Sequence, residues 1–285
     1  MAHPSSRTAR SQRRRVVNGV FVVACGGAAA VALLMLAFIL WSLVLKGIGG
    51  INLNLFTMTQ PAPGSVGGLG NAIVGSLMLC GLGMVIALIV GILAGTWLSE
   101  YGGRTRYGHT VRFLNDVLLS APSILIGLFV YQIMVAHVVG HFSALAGAVA
   151  LAILAMPVVT RTTEDILSLQ PTALREAGMA LGATRAFVTR KIIWRAGLAG
   201  LVTAGLLGFA RISGETAPLL FTSLGNQFYS TSLTKPIASL PTTIFQFALS
   251  AYDDWQQLAW SGALLIAAFV LAINIAGRML ARESR

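Results

Sequence analysis

Two charges stand inside a stretch that is otherwise uncharged. Arg211 and Glu215 are the only ionised residues of the apolar run 196–224. An arginine in the middle of a bilayer costs about 2.5–3.5 kcal/mol on insertion scales, so it faces water or a protein partner. The spacing of four puts both side chains on one helix face. Gly214 and Pro218 weaken the helix at the same place, because proline removes a backbone hydrogen bond. Polar backbone opened at membrane depth is tolerated only beside protein or water. Two uses fit. Either the pair is a mutual salt bridge that shapes the helix, or Arg211 offers its planar fork of donors to a passing anion. Arg161, at the end of the apolar run 142–160, has a similar choice. It is either an exit station on such a path or a basic anchor at the membrane surface.

The other chemically able residues point nowhere stronger. His137 and His141 have the spacing of a two-histidine metal face, but no third ligand stands near in sequence, so interfacial packing is favoured over metal binding. The three lysines are Lys46, Lys191 and Lys235, and none follows Gly or precedes Ser or Thr. A phosphate-cradling P-loop needs that context. The chain is therefore expected to carry no cofactor and no ATP site of its own. Cys25 and Cys80 both sit in apolar runs and read as small hydrophobes.

What must position these residues is a membrane bundle. Of 285 residues, 56% are hydrophobic and 10% charged, against about 25% charged in soluble domains. Apolar runs predict an all-α integral membrane protein with six transmembrane helices near 18–45, 69–98, 117–139, 142–160, 197–222 and 258–277, after a basic tail 1–15. The first run is too long for a cleaved signal. Gly91 and Gly95 make a close-packing pattern in the second. The net charge of +11 does not indicate nucleic acid, because the basic residues lie between apolar runs rather than on a polar module. Alternate connections hold 17 and 2 of the 20 Lys and Arg residues, with Arg211 inside a helix. The positive-inside rule then predicts six spans with both termini cytoplasmic.

Two connections carry structure. In 161–195, Leu174, Ala177, Gly178 and Leu181 fall at helical spacing on one face. Pro171 suits the first turn of that helix and Gly182 its end. Glu176, read as lying near the helix start, would favour the positive end of its dipole. The small residues of the stripe suit docking against another surface; the alternative is a plain amphipathic helix on the bilayer. A second piece, 184–195, carries Arg185, Arg190, Lys191 and Arg195 and suits anionic headgroups. The external connection 225–257 suggests a short interfacial helix around 243–250, and Asp253 and Asp254 follow it, either touching a protein outside or simply solvated.

The stretch Glu176-Ala-Gly-Met-Ala-Leu-Gly182-Ala-Thr-Arg185 resembles the EAA signature of ABC importer permeases. Gly178 replaces the second Ala, Ile192 and Ile193 supply the apolar pair, and Trp194-Arg195 stands where Leu-Pro is common. A more specific stretch, Ala210-Arg-Ile-Ser-Gly-Glu-Thr-Ala-Pro-Leu-Leu-Phe-Thr222, is similar to the fifth helix of phosphate importer permeases of the PstA type, as are Gly68-Leu-Gly-Asn-Ala-Ile-Val-Gly-Ser76 and Ala121-Pro-Ser-Ile124. The resemblance implies the type I importer permease fold, a non-enzymatic transport subunit in a bacterial inner membrane, and a heterodimer with a sister permease. It also implies two ATP-binding subunits beneath, a periplasmic phosphate-binding protein above, and an EAA loop (Glu176, Ala177, Gly178, Leu181, Gly182) that couples to the ATPases.

Phosphate gives both buried charges a purpose. Inorganic phosphate keeps at least one proton near neutral pH, whereas sulfate keeps none. Arg211 would attract the anion and Glu215 would accept its proton, which helps to reject sulfate. The competing readings are a permease for another oxyanion, an ion-coupled secondary transporter, which predicts internal repeats, and an intramembrane enzyme, which needs a nucleophile–base pair or metal ligands. The sequence offers no clear repeat and no such pair.

Overall fold

In the computed structural model, which describes residues 5–103 and 105–283, the chain is helical and no strand occurs among the described residues. Helix α1 (Ser5–Gly47) takes in most of the basic segment expected as a tail, so that segment is the first turns of a helix; residues 1–4 of the expected tail lie outside the described residues. Near the end of α1, Gly47 lies against Trp260 and Leu264. A short α2 (Leu53–Thr57), capped by Asn52, leads to α3 (Gly70–Glu100).

The third span departs from expectation. Residues 117–120 belong not to it but to α4 (Arg106–Ser120), an amphipathic helix capped by Thr105. The span proper is α5 (Ser123–Val130) continued by π-type turns over Tyr131–Val139, and it is bent 104° from α4. Pro122 explains the bend: the residue before a proline is driven out of the α region, and Ala121 has ψ 135°. After a tight turn at Gly140 (φ +79°), Ser143 caps α6 (Ala144–Ser168). α6 runs past residue 160, so Arg161 lies within the helix rather than at its end.

α7 (Thr172–Ala180) follows Pro171 and ends in left-handed Gly182 (φ +81°). Ala183 N donates to Gly178 O and Gly182 N to Met179 O, the Schellman closure that glycine permits. α8 (Arg185–Val188), capped by Thr184, runs through π-type turns over Thr189–Ile193 into α9 (Trp194–Ala196). This basic piece meets the fifth span, α10 (Leu198–Ile212), at 75°. The span then breaks: α10 stops at Ile212 and a separate α11 (Ala217–Thr222) starts with Pro218 in its first turn. α12 (Leu240–Ala248) replaces the expected surface helix near 243–250 and is instead buried along Leu240, Pro241, Thr242, Thr243 and Phe247. Its N-cap is Ser239, and Leu240 N donates to Ser76 Oγ on α3 at 2.7 Å. The last span is α13 (Asp253–Glu283).

Four helices are long and apolar enough to cross a bilayer, and six spans result when each bent pair counts as one. The core of the bundle is α3, α6 and α10, and it is built on missing side chains. A Cβ on Gly91 would lie 2.8 Å from Val159 Cβ, and one on Gly95 would lie 2.5 Å from Thr160 O. The expected close-packing pair thus seats α3 on α6. Gly200 meets Ile166 and Gly208 meets Val159, so α10 runs antiparallel to α6. Ala148, Leu151, Ala155 and Ile212 are buried between these helices.

Candidate functional site

Arg211 Nη1 donates to Glu215 Oε1 across the break between α10 and α11. The guanidinium side chain is 42% exposed and the carboxylate side chain 11%. The contact register gives the depth of the pair. Gly208 abuts Val159, and Arg211 is three residues further along α10, toward the Ala144 end of α6. At 1.5 Å per residue Arg211 is level with about residue 156, the middle of α6. A half-uncovered arginine at that depth cannot face hydrocarbon cheaply; it faces a partner surface or an aqueous path. Ser213 Oγ donates to Ala210 O at the same break.

Arg161 is not brought into contact with either residue. Its Nε lies 3.5 Å from Asp165 Oδ2, one turn on, and both side chains are about half exposed. By the same register Arg161 is about 7–8 Å nearer the arginine-rich end of the bundle than Arg211. The two arginines therefore stand at successive heights. A cavity of about 670 Å³ between α3, α10, α12 and α13 is lined by Phe209 and Ser213 but not by Arg211 or Glu215. Its lining is almost wholly apolar, so it does not serve an anion.

The α7 residues divide in a way their spacing did not announce. Leu174, Ala177 and Leu181 are exposed, Leu181 at 88%, and so is Met179. Gly178 is buried and turned the other way: a Cβ there would come within 2.7 Å of Val188 Cγ2. The surface that needs a small residue at 178 is the chain's own second helical piece, not an outside partner. Glu176 is the fifth residue of α7, beyond the first turn, so the expected dipole contact does not apply. It is exposed beside Ala177.

Other residues at this end escaped the sequence reading. Arg175 grips Glu100, the last residue of α3, through Nε to both carboxylate oxygens (3.1 Å each) and Nη2 to Oε1 (2.6 Å). The same guanidinium donates to Leu167 O and Gln170 O, both at 2.7 Å. Arg112 of α4 pairs with the mostly buried Glu164 of α6 at 2.6 Å and donates to Gly103 O. Trp194 Nε1 donates to Thr96 Oγ1 at 3.1 Å, and the Arg185 guanidinium sits 4.7 Å over the Tyr101 ring. One signal was available: Glu100 is an acid closing a long uncharged run at the end crowded with arginines.

The histidines turn to their own backbone, His137 Nδ1 against Gln132 O and His141 Nδ1 against Phe142 O. No cluster of three or more His, Cys, Asp or Glu stands ready for a metal among the described residues.

A sequence profile for the binding-protein-dependent transport system inner membrane component matches residues 87–285. The chain belongs to that family. Among curated relatives of this transport component, a phosphate transport system permease protein PstA of Xylella fastidiosa (strain Temecula1) is 49% identical over 269 residues, covering 94% of both chains. A protein of the same name from Haemophilus influenzae is 51% identical, covering 87% of this chain and 88% of that one. Among solved structures, the MetNI methionine ABC transporter in an inward-facing conformation superposes with a TM-score of 0.64 at 21% identity, covering 75% of this chain and 94% of that one. That likeness shows the fold alone, that of an ABC importer permease. The family match makes it a membrane transport subunit and not an enzyme.

Proposed function

We propose that this permease forms half of the path by which an ATP-driven importer carries inorganic phosphate across a bacterial inner membrane. The observation that carries the reading is the mid-bilayer Arg211–Glu215 pair, half open beside a broken helix, in a chain about half identical to phosphate permeases. Glu215 takes one Nη of Arg211, which leaves donors of the fork for phosphate oxygens. A protonated phosphate oxygen can in turn donate to the Glu215 carboxylate, which sulfate cannot do. At rest the carboxylate neutralises the arginine, which lowers the cost of holding it at this depth. Arg161 serves as a second station on the way out.

The second permease chain completes the path, and a periplasmic phosphate-binding protein supplies the anion. ATP is bound and split by two partner subunits, so this chain needs no cofactor. Its exposed α7 face, Glu176, Ala177 and Leu181 with Leu174 and Met179, docks in an ATPase groove. Gly178 and Gly182 shape the helix that presents that face. Both termini lie in the cytoplasm, as the placement of 17 basic residues at one end supports. Closure of the ATPases pushes on residues 171–195 and the spans tilt to open the path outward.

The test is phosphate uptake by the purified four-component transporter in liposomes. Arg211→Ala is expected to leave the complex assembled and to lower uptake at least tenfold. Normal uptake in an intact complex would defeat the anion role.

A further inference from the structure

We infer that the Arg175–Glu100 ion pair is the latch that makes the α7 docking helix and the ends of α3 and α6 move as one body; this rests on the docking role of α7 proposed above. Arg175 is then a positioning residue for transport, acting through Glu100.

The geometry favours a rigid joint over a loose surface pair. The Glu100 side chain is 2% exposed and the Arg175 side chain 20%. Five hydrogen bonds fix one guanidinium: three reach Glu100 at the end of α3, and two reach the carbonyls of Leu167 and Gln170 at the end of α6. A planar fork held on two edges has little freedom to pivot. The exposed side of α7 is left free, because Arg175 points inward while Leu174, Met179 and Leu181 point outward.

The α3 end that receives the latch is held from every neighbouring piece. Trp194 reaches Thr96, Arg185 covers Tyr101 and Arg112 reaches Gly103. Above this hub, α3 has no slack against α6, since Gly83, Gly91 and Gly95 bring the two backbones into direct contact. A push on α7 therefore enters α3 and α6 together and travels up the pair to the height of Arg161 and Arg211. Without the latch, α7 keeps only its apolar seat on Val188 and Ile192. It could then follow an ATPase without moving the spans.

The experiment uses the reconstituted four-component transporter, measuring ATP hydrolysis and phosphate uptake in the same liposomes. Glu100→Gln keeps size and shape but removes the charge. The expected result is an assembled complex whose ATP hydrolysis stays within about twofold while phosphate moved per ATP falls at least tenfold. Unchanged phosphate per ATP, or equal loss of both rates, would overturn the latch. The docking reading is checked apart from it. With Cys25 and Cys80 changed to alanine, Leu181→Cys should cross-link to an ATPase subunit with or without Glu100→Gln; no cross-link in the unlatched or the latched chain sinks docking itself. Spin labels at Leu93→Cys and Thr172→Cys, both exposed and outside the proposed docking face, with Cys25 and Cys80 changed to alanine and Glu100 intact, supply a readout that survives if Glu100→Gln fails to assemble. Their separation should be the same in nucleotide-free and ATP-trapped transporter. A change between those states would show that α7 slides on α3, and the latch would fail.

Discussion

At the scale of single residues, the buried charges differ in whether they keep free donors or acceptors. Glu100 and Glu164 are each engaged by an arginine fork whose other donors hold backbone carbonyls. Such pairs are closed: breaking one costs about 3–5 kcal/mol because a charge is left uncompensated, and nothing remains to greet a substrate. Arg211 differs. It has one protein partner and an open side. The proposed choice of phosphate over sulfate then hangs on whether Glu215 accepts a proton from the anion. A hydrogen bond to a charged group contributes about 1.5–3 kcal/mol, which corresponds to roughly tenfold or more in selectivity. Glu215→Gln keeps the shape but donates where the carboxylate accepted, and it no longer repels a fully ionised anion. Sulfate is therefore expected to compete with phosphate uptake at least tenfold better in Glu215→Gln than in the native transporter. Unaltered competition would reduce Glu215 to a structural partner of Arg211.

At the scale of elements, the contacts rest on glycine. On α3, a Cβ at Gly95 would strike Thr160 O at 2.5 Å, while one at Gly81 would meet nothing within 4 Å. The two positions make a matched pair. Gly95→Ala forces backbones apart and is expected to cost about 1–3 kcal/mol; Gly81→Ala only removes the glycine penalty in a helix, up to about 1 kcal/mol in the stabilising direction. Thermal unfolding in one detergent should therefore show a lowered midpoint for Gly95→Ala and an equal or raised one for Gly81→Ala. This spacing was legible in the sequence because it is local, as were the apolar runs, the helix stop at Gly182 and the weak point at Gly214 and Pro218. What was not legible came from partners on other elements. Arg175 and Glu100 are 75 residues apart, and no periodicity reports such a pair. The inward turn of Gly178 follows from Val188 folding back beneath α7. The buried seat of α12 goes with Leu240 N donating to Ser76 Oγ, 164 residues away. The bend between α4 and α5 had a local cause, Pro122, but an unbroken apolar run from 117 hid it.

For the whole molecule, one asymmetry sets direction. Of the 20 Lys and Arg residues, 17 fall in the connections and tails expected at one end, and each contributes about 1 kcal/mol of attraction to an anionic leaflet. Leu181 belongs to that end. Phe228 belongs to the other, since its neighbour Asn226 accepts from Asn71 in the first turn of α3, whereas α7 is pinned to the last residue of α3. The 31 residues of α3 separate the two by about 45 Å. Both side chains are exposed, so both can be probed once Cys25 and Cys80 are changed to alanine. In intact spheroplasts a membrane-impermeant maleimide is expected to label Phe228→Cys at once and Leu181→Cys only after permeabilisation. The reverse pattern would place α7 outside, away from ATP, and no ATPase could then drive it. The expected pattern puts the docking face where nucleotide is, the polar outer loops where a binding protein can land, and Arg211 midway between them.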